Sequence, residues 1–128
     1  MLLFTGFSPK VFQFFSPTDK PGKPGVPEIE SVKVNQVSLS WKPPKDDGGS
    51  PVINYILEHK ADGAYKWKRS TVETIEDTKY TLKGIAPETS YEFRVAAENK
   101  AGVGPFSQST MPVKPQEKQG RYLLPNSE

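Results

Sequence analysis

The sequence predicts an all-β fold, a seven-stranded Greek-key β-sandwich. Two aromatic-anchored runs carry the first argument. Val37-Ser38-Leu39-Ser40-Trp41 and Tyr91-Glu92-Phe93-Arg94-Val95-Ala96-Ala97 place an apolar residue at every second position, the period of a strand with one buried face. The second observation is regular punctuation: short strand-like runs alternate with Gly/Pro-rich turns. The third is that helical periodicity nowhere extends beyond a single turn.

Residues 1–19 read as irregular. Lys20-Pro21-Gly22-Lys23-Pro24-Gly25-Val26-Pro27 reads as an extended Pro/Gly spacer, because proline fixes φ and removes a ladder donor. Residues 1–23 are therefore assigned to a leader and linker, 24–112 to the domain and 113–128 to a disordered, polar tail. The first strand is expected over Glu28–Val34, with Ile29, Val32 and Val34 as apolar contacts. The second, Val37–Trp41, turns Val37, Leu39 and Trp41 inward and stops at Lys42-Pro43-Pro44. Lys45-Asp46-Asp47-Gly48-Gly49-Ser50-Pro51 is a dense turn cluster.

The third strand, Val52–Lys60, puts Ile53, Tyr55 and Leu57 on one face and Asn54, Ile56 and Glu58 on the other. Ala61-Asp62-Gly63-Ala64 is a hairpin signal. A fourth strand is expected over Tyr65–Val72, with Trp67 covering an edge of the core. A fifth over Lys79–Leu82 turns Tyr80 and Leu82 inward, with Ile85 capping that end. The sixth, Tyr91–Glu98, turns Tyr91, Phe93, Val95 and Ala97 inward. Asn99–Gly104 closes another hairpin into a last strand from Pro105 to about Met111. The expected core therefore centres on Trp41, Tyr55, Leu57, Leu82, Tyr91, Phe93 and Val95. Burial of large aromatics is worth about 2–3 kcal/mol each.

The net charge of +2 is too mild for a committed nucleic-acid binder, and no Lys/Arg cluster is interleaved with aromatics in the required way. With no cysteine there is neither a disulfide framework nor a thiolate metal site. Asn35, Asn54, Asn99 and Asn126 all lack Ser/Thr two places on, so no glycosylation acceptor is present. Both features lean towards a reducing, intracellular setting. Met1–Phe7 is apolar but short, lacks a basic lead and is soon followed by Lys10. Neither a signal peptide nor a membrane span is expected.

Nothing in the chain forms a catalytic set. His59 is the single histidine and shares the face of Leu57, so it reads as structural. The serines fall in turns or on outer faces, with no nucleophile elbow. Asp46 and Asp47 offer too few oxygens for calcium, and a turn that bonds its own backbone explains them better. Gly48, Gly49, Gly102 and Gly104 precede no helix, so they supply positive φ in turns, not a phosphate cradle. Ile56 and Val103 are expected to be exposed singly. No cofactor and no metal is expected. Lys60, Lys66, Lys68 and Arg69 form a basic edge. Its plain reading is a charged edge that blocks sheet aggregation; its functional reading is a patch for an acidic protein partner.

Trp41 after the second strand, Tyr55-Ile56-Leu57-Glu58, and Ile85-Ala86-Pro87-Glu88-Thr89-Ser90-Tyr91 together resemble a fibronectin type III domain, an immunoglobulin-like sandwich. The run Val95–Pro105 resembles that family's sixth strand and following turn. The resemblance covers residues 24 to about 112 and implies a tyrosine corner, the Tyr91 hydroxyl bonding backbone a few residues upstream. The run from Trp41 to Val52 is further similar to modules of the titin, twitchin and projectin group of giant muscle proteins. That implies a non-catalytic spacer, elastic element or docking module of a sarcomeric filament protein. Its implied setting is the cytoplasm, flanked by immunoglobulin-type or fibronectin type III modules and beside thick-filament or other sarcomeric partners. A monomer is expected, with no nucleic acid or membrane bound. The alternative is an adhesion or receptor ectodomain outside the cell, although no Arg-Gly-Asp sequence occurs. An enzyme would need a separate catalytic domain.

Overall fold

The computed structural model describes residues 18–116. Seven strands make two antiparallel sheets. They are β1 (Glu28–Lys33), β2 (Gln36–Ser40), β3 (Asn54–Ala61), β4 (Lys68–Arg69), β5 (Lys79–Lys83), β6 (Tyr91–Asn99) and β7 (Gly102–Val103). One sheet has the order β1-β2-β5 and the other β4-β3-β6-β7. The chain crosses between the sheets after β2, before β5 and after β5, which makes the all-β sandwich that the alternating runs predict.

The inward rows meet between the sheets. Val37, Leu39, Trp41, Tyr55, Leu57, Ile75, Leu82, Ile85, Tyr91, Phe93, Val95 and Ala97 form one buried cluster. Trp41 and Tyr55 meet edge to face with ring centroids 5.6 Å apart. The Ala86 N–H donates to Tyr91 Oη at 3.1 Å, pinning the β5–β6 connection. Ile75 belongs to no strand, yet its carbonyl accepts from the Tyr55 N–H and its own N–H donates to Asn54 Oδ1. The chain leaves the β3 edge after Ser70, and these two bonds tie it back to the start of β3 with Ile75 seated in the core.

That diversion shortens the fourth strand. The expected span Tyr65–Val72 contracts to Lys68–Arg69, and Tyr65 and Val72 stand 99% and 91% exposed. Trp67 lies on the outer face of the four-stranded sheet, packed against charged side chains instead of the core edge. In β3, Ile53 precedes the strand and is 54% exposed, not inward. Ile56 is the reverse case. It faces outward opposite Ala96, yet both are buried. Val34 falls beyond the end of β1 and is exposed.

The last strand departs most from expectation. Only Gly102–Val103 is regular; Pro105–Met111 is not. The chain still follows β6, but at a different period. Gly104, Ser107, Thr110 and Val113 donate their N–H groups to the carbonyls of Ala97, Val95, Phe93 and Tyr91. This segment advances three residues for every two of β6. In return the β6 N–H groups find hydroxyls: Val95 donates to Ser107 Oγ and Phe93 to Thr110 Oγ1. Ser107 and Thr110 are therefore buried ladder substitutes, where turn or surface positions were expected for the serines. Tyr91 and Val113 form a bridge, and Pro115 beyond it is fully buried.

Candidate interaction face

The outward positions of β3 and β6 build one polar face. Glu58, Lys60, Glu92, Arg94 and Glu98 alternate with core residues, and direct pairing sets Glu58 beside Arg94. Both Nε and one terminal nitrogen of Arg94 donate to Glu58 Oε1, at 3.0 and 2.7 Å. Glu58 is also opposite Arg69 on β4.

Two aromatics enclose the Arg94 guanidinium. Its carbon lies 4.3 Å from the centroid of Trp67 and 4.3 Å from that of Phe106. Lys60 Nζ approaches Trp67 at 5.5 Å. A cation held over ring faces gains from the ring quadrupole, and Arg suits such stacking because its plane is weakly hydrated. The stack joins three strands' worth of chain: Trp67 before β4, Arg94 in β6 and Phe106 after β7.

The four predicted edge cations divide into two environments. Lys60 projects from β3 onto Trp67. Lys66, Lys68 and Arg69 flank Trp67 in the chain and are exposed. The Arg69 Nε donates to the Thr71 carbonyl at 2.9 Å, which holds that side chain along the edge. Sequence parity alone missed the Trp67–Arg94–Phe106 stack. Its signal was present in the outward parity of Arg94, with an aromatic in each flanking segment.

The other candidates are occupied locally. His59 stacks edge to face on Tyr91, with centroids 5.6 Å apart, and its Nδ1 lies 2.8 Å from Ser70 Oγ. Burial, helped by the nearby Lys68 charge and opposed by Glu58, holds its pKa below the ordinary histidine value. Asp46 Oδ1 and Asp47 Oδ1 accept from the Gly48 and Gly49 N–H groups, so each carboxylate closes its own turn. Among the described residues no three His, Cys, Asp or Glu side chains converge on a metal position. No helix there is long and apolar enough to cross a membrane. Gly48, Gly49 and Gly102 have positive φ; Gly104 does not, and is needed for space, since a Cβ there would collide with the Pro21 carbonyl.

Comparison with known proteins gives this architecture a family. The family model for the Fibronectin type III domain matches residues 22–113. Human cardiac-type myosin-binding protein C is 35% identical over 100 residues, which is 76% of this chain and 8% of that protein. Drosophila melanogaster titin is 37% identical over 95 residues, 74% of this chain and a share of titin that rounds to 0%. The chain thus spans a small fraction of the relatives it matches. Among solved structures, the twitchin kinase region from C. elegans superposes with a TM-score of 0.74 at 36% identity, covering 80% of this chain and 18% of that one. A crystal structure of domains from titin gives a TM-score of 0.72 at 37% identity, covering 78% and 33%. With its two sheets, its Tyr91 corner and these relatives, the chain belongs to the fibronectin type III domain family.

Proposed function

We propose that this chain is a non-catalytic structural and protein-binding module of a giant intracellular muscle-filament protein. There it acts as sarcomeric spacer, elastic element and docking surface, flanked by immunoglobulin-type or fibronectin type III modules. The folded unit is taken to run at least from Asp19 to Pro115, wider than 24–112, because pairing and burial run past both of those limits. The observation that carries the reading is the placement of the two ends. Asp19 bonds Asn99 at one end of β6, while Val113 pairs with Tyr91 at the other. At roughly 3.3 Å per residue these ends lie about 26 Å apart. A module entered at one pole and left at the other can be chained, and weak contacts then add along a filament. The similarity to titin, twitchin and myosin-binding protein C supports the muscle setting. The basic edge of Lys60, Lys66, Lys68 and Arg69 is the proposed contact for an acidic filament partner, steered more than held by charge.

Demembranated myofibrils incubated with the fluorescently labelled chain test both parts. Retention in a regular striated pattern is expected, weakening with added salt and with reversal of the four cations to Glu. Absence of any striation would refute the muscle reading. Striation unaffected by salt and by charge reversal would refute the basic edge alone.

A further inference from the structure

The Pro/Gly lead-in is built differently from a spacer. Burial along it repeats every three residues: Pro21, Pro24 and Pro27 are buried, Gly22 and Gly25 are half-buried, and Lys20, Lys23 and Val26 are exposed. Three residues per turn is the period of polyproline II. The hydrogen bonds keep the same period. Asp19, Gly22 and Gly25 donate their N–H groups to the carbonyls of Gly48, Asp46 and Lys42, at 2.8, 2.8 and 3.0 Å. These pairs continue the β1–β2 register, in which Glu28 faces Ser40. The prolines occupy the positions whose N–H groups would point away from this ladder, so nothing is lost by removing them.

The receiving surface is shaped for the arm. Asn99, only 2% exposed, donates through Nδ2 to the carbonyls of Asp19 and Asp47, at 2.7 and 2.8 Å. One side chain thus staples the arm to the loop after β2. Gly48 and Gly104 leave room for the backbone: a Cβ on either would collide with the carbonyls of Asp19 or Pro21.

We infer that residues Asp19–Pro27 form a polyproline-type strap seated in a built groove between the 42–48 and 99–104 loops, and that this strap fixes the direction in which the chain enters the module. The groove's ligand class is an extended arm with prolines at every third position, and the occupant is this chain's own segment. The strap makes the entry a stiff extension of the sandwich. This holds whatever filament the module serves.

Amide hydrogen exchange by NMR on the full chain tests it. The Gly22 and Gly25 amides are expected to exchange on the order of 100-fold more slowly than those of Lys23 and Val26, which face solvent and bond nothing among the described residues. Proline then reads the register. Val26→Pro removes no strap donor and should preserve protection at Gly22 and Gly25. Gly25→Pro removes one and should bring Asp19 and Gly22 to the Lys23 rate, while Phe93 and Val95 stay protected. Exchange of Gly22 and Gly25 at the Lys23 rate in the unaltered chain would overturn the inference. So would full Gly22 protection in Gly25→Pro. If Gly25→Pro does not fold, the unaltered chain still decides.

Discussion

Asn99 closes β6 and makes more hydrogen bonds than any other side chain among the described residues. Its Nδ2 donates to two carbonyls, Asp19 and Asp47, and its Oδ1 accepts from the Ala101 N–H at 2.8 Å. Asn99→Ala removes all three bonds and leaves three backbone groups at a nearly closed site. At about 0.5–1.5 kcal/mol net for each bond, the expected loss is roughly 2–4 kcal/mol. Asn99→Asp separates the two halves of the interaction. The carboxylate keeps the Ala101 contact but turns a negative oxygen towards two carbonyls, so at neutral pH it should cost at least as much as Ala. Protonated, the acid can again donate one bond, and the gap between Asp and Ala should narrow near pH 3. Urea denaturation of the three proteins at pH 7 and pH 3 measures this. An Asn99→Ala loss below about 0.5 kcal/mol would refute the connectivity argued for this residue. So would Asn99→Asp at pH 7 being as stable as the unaltered chain.

Four further outcomes are expected. Tyr91→Phe should cost about 1–2 kcal/mol in chemical denaturation, because it removes the acceptor for the Ala86 N–H. Trp41→Ala should cost roughly 3–5 kcal/mol; Trp41→Phe should cost clearly less, since the buried Nε1 has no partner among the described residues to lose. Folding disfavours protonation of His59, so its depressed pKa means the unfolded chain takes up a proton first as pH falls. The His59 contribution is therefore complete above the ordinary histidine pKa and lost as pH drops below it. His59→Gln should flatten the urea midpoint between pH 7.5 and 5.5 relative to the unaltered chain. Finally, a fragment of residues 24–112 should melt lower than one of 18–116. It loses buried Pro21 and Pro115, the Tyr91–Val113 bridge and the bonds from Asp19 and Gly22. Equal melting temperatures by circular dichroism would place the folding unit inside the narrower limits.

What the sequence revealed, and what it concealed, follows from the period each segment uses. Val37–Trp41 and Tyr91–Ala97 alternate in steps of two because one side packs on the other sheet, and that signal survives in any single sequence. The fold class follows from it. The segments that flank the sandwich run in steps of three, and their spacing was equally visible: Pro21, Pro24 and Pro27 on one side, Gly104, Ser107, Thr110 and Val113 on the other. Read for strands or helices, such segments look like linker and irregular strand, because proline, glycine and serine are the residues that break both. Yet prolines at every third place remove only donors that point away from the ladder. The hydroxyls of Ser107 and Thr110 supply acceptors that a step of three would otherwise withhold from β6. The outer face hid for a different reason. Arg94 has the parity of a solvated charge, and only the three-dimensional approach of Trp67 and Phe106 turns it into the centre of a packed stack. That stack bears on the basic edge. Arg94 is paired with Glu58 and covered by rings, so the remaining positive charge of the proposed edge is carried by Lys60, Lys66, Lys68 and Arg69 around Trp67. A partner drawn there by charge would meet Trp67 as the apolar contact at the centre of its footprint.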